Sequence, residues 1–364
     1  MTDFLSIKVY PTVDHTLPSF DNTKLVAINT CPFWGIVRYS LDKTMNASSR
    51  AMALEAGGAA HEVFAAHRLW HLRKGLESGD YSTETRDRIF NIGGHRLFGE
   101  QRFREMVGAI DPREDERSQQ LQFALTALYN GGFYDDPQDK RRTTTNIEEM
   151  CIAYMDKFDW QKQLPVVLNI DSDQPFIGIE IEVDVTIEFV TLDHAVHKYR
   201  FIGKADGLHW KDEKQEVMRV HENKTASRLG EAWELSWETN HQPTGYIIGL
   251  GAMLNLPIRD ALMLGTALPL PRAYELNGVS RVPVTRSEWQ LREWFQWFYH
   301  TAQLHDAFVD RPVDAPQYTH SCNRYFRPCS FIPLCASPPD ERSEMIEEME
   351  VQRWSPLEDE GSAD

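Results

Sequence analysis

Three ionisable residues in the middle of the chain have types and spacing that suit hydrolysis at a divalent metal. Asp206 lies in the segment GKADG, and Glu222 and Lys224 lie two residues apart in the segment HENK. Carboxylates that share one face are the ligands that Mg²⁺ prefers, and a lysine beside them can orient an attacking water or stabilise charge on a phosphate. An ordinary ion pair at the ends of two strands is the alternative interpretation.

A histidine and a glutamine–tyrosine pair extend this set. His61 follows Gly57 with three residues between them, and Gln242 precedes Tyr246 with the same gap. A histidine nitrogen among carboxylates shifts the preferred metal from Mg²⁺ toward Mn²⁺. Residues four apart share a helix face, so Gln242 and Tyr246 are expected to point the same way. A hydrogen-bonded histidine and local packing are the ordinary alternatives.

Four of the five cysteines form a second set that suits a metal centre. Cys31 stands near the start, Cys322, Cys329 and Cys335 lie together near the end, and Cys151 matches no pattern. The first residues lack the features of a secretion signal, so metal ligands or free thiols are expected rather than disulfides. Zinc accepts four thiolates, but zinc ribbons usually contain a C-x2-C pair, which this sequence lacks. Cys151 is expected to be a free or buried thiol.

Periodicity predicts the elements that must position these residues. Apolar and polar side chains alternate from Ile177 to Phe189, which predicts a long strand with one buried face. Further strands are predicted over 196–205, 216–222 and 261–268, and helices over 44–76, 227–239, 242–254 and 287–308. Asp206 would then follow the second strand, and Glu222 and Lys224 would share a face at the end of the third. The pattern predicts an α/β domain with a helical N-terminal insertion.

Length and composition are those of a folded chain. The 364 residues are 41% hydrophobic and 11% aromatic, which is ample for a packed core, and no apolar run is long enough to span a membrane. The formal net charge is −17, of which residues 337–364 contribute ten acidic side chains and two arginines. We predict that this acidic tail is disordered. The acidity of the remainder weakens the case for nucleic acid, although binding depends on the charge that lines a groove.

The order of the motifs resembles that of the RecB-like branch of the PD-(D/E)XK nuclease superfamily. The matching segments are Gly57-x3-His61, the Gly203-Lys204-Ala205-Asp206 strand end, Glu222-x-Lys224 and Gln242-x3-Tyr246, with one cysteine before them and three after. The resemblance covers about residues 31–335. It is closest to the iron–sulfur members, namely the CRISPR-associated and phage RecB-like exonucleases and the AddB-type nuclease domains. It implies a restriction-endonuclease-like mixed central sheet flanked by helices, with the ends joined by an iron–sulfur cluster.

The resemblance also implies a role for each motif. Mg²⁺ or Mn²⁺ would be bound by His61, Asp206, Glu222 and the backbone carbonyl of Asn223. Lys224 would orient the hydrolytic water, and Gln242 and Tyr246 would help to hold the strand or the lysine. A [4Fe–4S] cluster would be bound by Cys31, Cys322, Cys329 and Cys335. Many relatives have two residues between the first two late cysteines, whereas this chain has six.

On this resemblance the chain divides into three parts. Residues 1–30 form an N-terminal segment, residues 31–336 form the nuclease domain, and residues 337–364 form the acidic tail. Within the nuclease domain, the expected parts are a helical insertion at about 77–165, a catalytic core at about 175–270 and a cysteine-rich closing segment at 320–336.

The implied function is metal-dependent exonuclease activity on single-stranded DNA or DNA ends, in recombination, repair or phage DNA metabolism. No G-x4-GK[ST] motif occurs, so DNA unwinding would need a separate helicase or recombination protein. Phosphate contacts are expected among Lys140, Arg141, Arg142, Arg324 and Arg327, and base stacking at Trp233 and Trp237. For these side chains, solvated charge and core packing are the ordinary alternatives.

Two hypotheses from other classes remain open at this point. One is a non-catalytic DNA-binding or assembly module that keeps the fold and the cluster, and the other is an electron-transfer iron–sulfur protein. The second gives no role to Glu222 and Lys224. The expected location is the cytoplasm of a bacterial or phage-infected host cell, with no membrane partner.

Overall fold

A computed structural model describes residues 4–45, 52–79, 81–158, 164–211, 216–270, 278–324 and 327–357. The helices are α1 (Asn22–Thr30), α2 (Pro32–Tyr39), α3 (Met52–Ser78), α4 (Thr83–Phe98), α5 (Glu100–Gly108), α6 (Glu116–Tyr129), α7 (Thr144–Lys157), α8 (Glu231–Thr239), α9 (His241–Leu254), α10 (Glu288–Phe308), α11 (Ile332–Ala336) and α12 (Pro339–Glu348). The strands are β1 (Phe4–Tyr10), β2 (Ser19–Phe20), β3 (Lys43–Thr44), β4 (Val167–Leu168), β5 (Phe176–Ile177), β6 (Ile179–Thr191), β7 (Val196–Trp210), β8 (Met218–Ala226), β9 (Asp260–Ala267), β10 (Val279–Thr285), β11 (Asn323–Arg324), β12 (Arg327–Pro328) and β13 (Glu350–Val351).

A mixed seven-stranded sheet forms the centre of the molecule. Its strand order is β1-β6-β7-β8-β9-β10, with β2 beside β7. The β8–β9 and β2–β7 pairs are parallel, and the other neighbours are antiparallel. The predicted α/β class with a mixed central sheet is therefore confirmed. The N-terminal segment contributes β1 to this sheet, which the sequence analysis did not foresee.

Helices cover both faces of the sheet and bury two apolar clusters. The first cluster lies on the face covered by α1, α2, α9 and α10 and includes Phe20, Phe201 and Trp294. The second lies on the face covered by α3 to α7 and includes Phe64, Phe123 and Tyr154. The helical pattern predicted between 77 and 165 corresponds to α4 to α7. The sheet is thus the middle of three layers, and any site at its strand ends is bounded by helices on both sides.

The long strand predicted from Ile177 does not keep one buried face. Ile177 and Ile179 belong to the cluster under α3 to α7, whereas Ile181 and Val183 belong to the opposite cluster. Successive odd-numbered side chains would stay on one face in a regular strand, so the strand must twist over between Ile179 and Ile181. The residue at that point is Glu180, whose φ is 47°.

The next two strands, β7 and β8, both extend beyond their predicted ends. β7 continues to Trp210, so Asp206 lies inside a strand rather than after it. β8 continues to Ala226, so Glu222 and Lys224 lie in its middle. The reason is the parallel pairing of β8 with β9, which runs from Arg219 to Ala226 and supports backbone beyond the predicted end. Parallel pairing joins distant segments and leaves no local signal in the sequence.

Two helices that carry predicted site residues form close to where they were predicted. α3 is described from Met52, because residues 46–51 lie outside the described residues, and it passes through Gly57 and Gly58 without interruption. A Cβ at Gly57 would lie 3.4 Å from the Thr225 hydroxyl, so α3 passes close to β8 at this point. α9 begins at His241, and the side chain of Asn240 caps it by accepting a hydrogen bond from the Gln242 N–H.

The prediction of a disordered acidic tail is wrong for most of that segment. α12 packs with Ile346 buried, and β13 pairs antiparallel with β3 near the N-terminus. Lys43 donates to the carbonyls of Glu347 and Met349 at 3.0 and 3.1 Å. Residues 358–364 lie outside the described residues. The acidic composition was misleading because the few apolar side chains of α12 suffice to hold it against the domain.

Among the described residues, no helix combines the length and the apolar character that crossing a membrane requires.

Candidate metal and catalytic site

β7 and β8 separate at the residues that the motifs singled out. Their antiparallel ladder ends with Gly207 opposite His221. The next residues toward the gap are Asp206 on β7 and Glu222 on β8, while β7 remains paired with β6 and β8 with β9. A gap between neighbouring strands therefore opens at the two carboxylates, and the backbone groups that face this gap lack ladder partners.

Asp206 connects the two sides of the gap. Its Oδ1 lies 3.1 Å from Nδ1 of His61, which α3 brings from the helical layer. Its Oδ2 accepts a hydrogen bond from the backbone N–H of Asn223 at 2.5 Å. Asp206 is buried and His61 is half-buried. The carboxylate thus replaces the ladder partner that the Asn223 amide loses where the strands part.

Glu222, Lys224 and the pair on α9 form the other half of the site. Oε1 of Glu222 accepts hydrogen bonds from Lys224 Nζ at 2.7 Å and from Gln242 Nε2 at 3.0 Å. Gln242 also donates to the hydroxyl of Tyr246 at 3.3 Å, one turn along the same helix. The six predicted residues therefore lie in two hydrogen-bonded groups at the gap, His61 with Asp206 and Glu222 with Lys224, Gln242 and Tyr246, and the Asn223 amide next to Glu222 joins the two groups.

The His61–Asp206 pair is electrostatically matched. Burial alone would raise the pKa of Asp206, but His61, Arg68 and Lys224 outweigh it and hold that pKa well below its usual range. Burial alone would lower the pKa of His61, but the Asp206 carboxylate outweighs it and raises that pKa. Asp206 is therefore an anion at every physiological pH and is ready to accept a cation.

The two glutamates of the site behave differently from Asp206. Burial, together with the negative charge of Asp206, raises the pKa of Glu222 to about 7. The same two causes raise the pKa of Glu180 to about 7. Burial would lower the pKa of Lys224, but the Glu222 and Asp206 carboxylates outweigh it and raise that pKa, so the ammonium stays charged. Several carboxylates share one buried space, which is costly without a cation.

Glu180 is a site residue that the sequence analysis missed. In the β6–β7 register it lies between the pairs Ile179–Gly207 and Ile181–Ala205, opposite Asp206. Its left-handed backbone is uncommon for a non-glycine residue, and such conformations cluster at functional sites. The guanidinium of Arg96 on α4 donates to the carbonyl of Ile179, directly before the distortion. The helical layer thus holds the backbone from which Glu180 enters the site.

A metal ion fits this arrangement of side chains. One ligand atom each from His61, Glu180 and Asp206 lie within 4.8 Å of one another. Oε1 of Glu180 and Oε2 of Glu222 are buried, and neither has a hydrogen-bond partner among the described residues. Buried carboxylate oxygens without donors are costly unless they are paired or coordinate a metal. Nitrogen and carboxylate oxygen together suit Mn²⁺ or Mg²⁺.

The backbone carbonyl of Asn223 also faces the gap. In a strand, the N–H and the C=O of one residue point toward the same neighbouring strand. The Asn223 N–H points at Asp206 across the gap, so its carbonyl points the same way. A carbonyl oxygen is an acceptable ligand for a hard divalent cation, which agrees with the ligand set implied by the family resemblance.

The four cysteines of the second set line one cavity. It has a volume of about 270 Å³ and lies between the start of α2 and the segment before α12. Its lining includes Cys31, Cys322, Cys329 and Cys335, together with Trp34 and Phe331. All four are free thiols, and the backbone N–H of Cys329 donates to the carbonyl of Cys322 at 2.8 Å, which holds Cys322 at the cavity despite the long gap.

The spacing of the thiols bears on the kind of group they could hold. Four thiolates around a single zinc ion would lie about 3.8 Å from one another, because Zn–S bonds are about 2.3 Å and tetrahedral. In the described part of the chain, no three cysteine sulfurs lie within 4.8 Å of one another. The thiols are therefore not grouped as closely as the four ligands of one zinc ion would be.

Arg342 of α12 holds the backbone around Cys335 in place through hydrogen bonds. It is buried, and its guanidinium lies over the ring of Phe33 at 5.4 Å. It donates to the backbone carbonyls of Val313, Leu334, Cys335 and Ser337 at 2.9 to 3.2 Å. One side chain from the predicted disordered tail therefore contacts both the segment after Cys31 and the segment around Cys335.

The remaining predicted residues have ordinary positions. Trp237 is buried and packs against Trp233 at 5.5 Å between ring centroids, so the prediction that Trp237 stacks bases is wrong. Arg142 pairs with Asp139 at 2.7 Å, and Lys140 and Arg141 are exposed. The side chains of 324 and 327 lie outside the described residues. Cys151 is a buried free thiol, as predicted, and burial raises its pKa so that it stays protonated.

A scan against protein-family models and a search of the curated proteins both found no match to this sequence.

Proposed function

We propose that this protein is a metal-dependent deoxyribonuclease of the RecB-like PD-(D/E)XK type that acts as an exonuclease on single-stranded DNA or DNA ends. The observation that carries the proposal is the convergence of His61, Asp206, Glu222 and Lys224 at the gap between β7 and β8. These residues come from three separate parts of the chain. An ordinary strand-end ion pair would not recruit a histidine from α3 and a glutamine from α9 to the same place.

Each residue then has a chemical role. His61, Glu180, Asp206, Glu222 and the Asn223 carbonyl would hold the metal, which supplies a lowered pKa for a bound water and neutralises phosphate charge. Lys224 remains an ammonium at neutral pH and would orient the attacking water and stabilise the negative charge that grows on the phosphate. Gln242 fixes Oε1 of Glu222 through a 3.0 Å hydrogen bond, so Oε2 stays free to face the metal.

We extend the proposal to the fold family and to the cysteines. The mixed sheet between two helical layers is compatible with a restriction-endonuclease-like core. A [4Fe–4S] cluster bound by Cys31, Cys322, Cys329 and Cys335 is supported by their shared cavity and by the family resemblance. Its role would be to tie the ends of the domain together, since the hydrolytic residues lie in a different set.

DNA is the proposed partner despite the acidic chain. Part of the net charge of −17 lies in the segment 337–364, and a bound divalent cation offsets the carboxylates of the site itself. The sequence has no phosphate-binding loop for ATP, so a separate helicase or recombination protein would supply any unwinding. The proposed location is the cytoplasm of a bacterial or phage-infected host cell.

Degradation of end-labelled DNA tests the proposal directly. Linear single strands, blunt duplexes and covalently closed circles are incubated with Mg²⁺ or Mn²⁺, with chelator as the control. We expect linear substrates to be degraded only with metal and closed circles to survive. Cutting of closed circles would indicate an endonuclease instead. Tight binding of DNA ends without cutting under either metal would favour the non-catalytic module.

Metal binding is expected to strengthen as the pH rises from about 6 to about 8. The pKa values of Glu180 and Glu222 lie at about 7 in the metal-free protein, and that of His61 is raised. All three must be deprotonated to bind a cation, so protons compete with the metal below about pH 7. Titration calorimetry should give a dissociation constant for Mn²⁺ about tenfold or more larger at the lower pH. Glu180→Gln should weaken binding and flatten this dependence, and equal constants at both pH values would contradict the ligand assignment.

A further inference from the structure

One polar contact joins the helical insertion to the floor of the proposed metal site. The hydroxyl of Tyr154 on α7 donates to Oδ1 of Asn223 on β8 at 3.0 Å. Both residues are fully buried. Asn223 lies between Glu222 and Lys224, and its side chain points to the opposite face of the sheet from theirs because side chains alternate along a strand. The contact therefore reaches the site from the face on which α3 and α7 pack.

The contact continues through the site as a chain of hydrogen bonds. The Asn223 backbone N–H donates to Oδ2 of Asp206 at 2.5 Å, and Oδ1 of Asp206 lies 3.1 Å from His61 Nδ1. β8 has no backbone pairing with β7 beyond His221. This part of β8 is held across the gap by the Asp206 carboxylate and from the helical layer by the Tyr154 contact to the Asn223 side chain. A change at Tyr154 would therefore shift the backbone N–H and the backbone carbonyl of Asn223 together.

Packing does not account for the hydroxyl of Tyr154. Its ring lies 4.0 Å from that of Phe64 and 4.7 Å from that of Phe158, centroid to centroid. A phenylalanine would fill the same apolar space, and a buried hydroxyl in such surroundings is unfavourable without an acceptor. Asn223 supplies that acceptor. For the packing of the core alone, phenylalanine at position 154 would serve as well as tyrosine.

We propose that Tyr154 is a positioning residue for the metal site, which it serves by anchoring Asn223 so that the Asn223 amide holds Asp206 and the Asn223 carbonyl faces the metal. The inference rests on the proposed function. Tyr154 would touch neither metal nor DNA. It would act as residues behind metal ligands commonly do, by fixing the orientation of the groups that coordinate.

Tyr154→Phe tests this inference, with Tyr199→Phe as the matched control. Tyr199 is also a buried tyrosine, on the other face of the sheet and outside the site; its hydroxyl donates to Asp306 and accepts from Gln303, both at 2.7 Å, and the substitution removes both bonds. The measurements are the dissociation constant for Mn²⁺ and the rise in unfolding temperature that Mn²⁺ produces. We expect Tyr154→Phe to weaken Mn²⁺ binding about tenfold or more and Tyr199→Phe to leave it unchanged.

Asn223→Ala, alone and combined with Tyr154→Phe, completes the test. The backbone carbonyl survives this substitution, so only the anchor is lost. If the two residues act as one unit, the double variant should bind Mn²⁺ no more weakly than the worse single variant. Asn223→Ala alone carries the comparison if Tyr154→Phe does not fold.

The outcomes separate this inference from the proposed function. Equal Mn²⁺ affinity in wild type and Tyr154→Phe, or an equal loss in Tyr154→Phe and Tyr199→Phe, would overturn the positioning role and leave the nuclease proposal standing. Failure of the wild type to bind Mn²⁺ would overturn the metal site and both proposals with it. Wild-type binding of Mn²⁺ without DNA cleavage would reject only the nuclease activity.

Discussion

Replacing Lys224 by alanine should reduce metal-dependent DNA cleavage by about a hundredfold to a thousandfold. The ammonium of Lys224 lies 2.7 Å from Oε1 of Glu222 and stays charged at neutral pH. It lies on β8 directly beside the Glu222 carboxylate, at the gap between the two strands. Its loss removes stabilisation that matters most in the transition state, so the maximal rate should fall while Mn²⁺ affinity changes little.

Lys198→Ala is the control for this substitution. Lys198 also lies on a strand of the sheet and pairs with a glutamate, Glu188, at 3.1 Å, but it is half-exposed and outside the site. We expect its activity and its unfolding temperature to stay at the wild-type values. Equal cleavage by wild type and Lys224→Ala would remove the assigned catalytic site, whatever the metal dependence.

Replacing Cys31 by alanine should have the second largest effect, this time on the whole fold. A cluster that joins Cys31 to the segment 322–335 closes a loop of nearly three hundred residues. Cross-links over such long loops stabilise by roughly 5 kcal/mol through the lost entropy of the unfolded chain. The unfolding temperature should therefore fall by on the order of 10 °C, together with the iron content and the visible absorbance of anaerobically purified protein.

Cys151→Ala supplies the matched control. Cys151 is equally a buried free thiol, but it lies on α7 and away from the cavity. It should keep the wild-type colour and iron content and lose only the small stability of one core contact. Stoichiometric zinc in place of iron would reject the cluster and keep the cross-link. Colourless wild type with no change in Cys31→Ala would reject the cross-link itself.

The site was predictable from the sequence to the extent that its residues carry local signals. Glu222 and Lys224 are two apart in a segment of strand character, and Asp206 follows a second such segment. Gln242 and Tyr246 share a helix face, as helical spacing requires. The structure brings these predicted residues together. Their local spacing was informative even though the predicted strand ends were too early.

Glu180 could not be found in this way because its signal is conformational. The alternation of apolar and polar residues continues without a break through Ile179, Glu180 and Ile181. Only the φ of 47° at Glu180 and the change of face on either side of it mark the position. A residue that appears to be one of several solvent-facing acids in a regular strand is instead half-buried opposite Asp206. The register of two strands decides this, and register is a property of the pairing rather than of either segment.

The acidic tail misled the prediction for a related reason. Composition describes an average over residues, whereas docking depends on single side chains. Arg342 alone makes hydrogen bonds to four backbone carbonyls, and such buried charge-assisted bonds are among the stronger ones in proteins.

The position of Arg342 has a consequence for the order of events during synthesis. Cys31 emerges from the ribosome early. The cavity that it lines is complete only after the segment from 317 to 335, and then Arg342, have emerged. Every strand of the central sheet is complete before that point. Delivery of the proposed cluster would therefore be the final step of maturation, made onto a sheet that has already formed. The chain would then leave the ribosome with the residues at the β7–β8 gap already assembled and the four thiols not yet bridged.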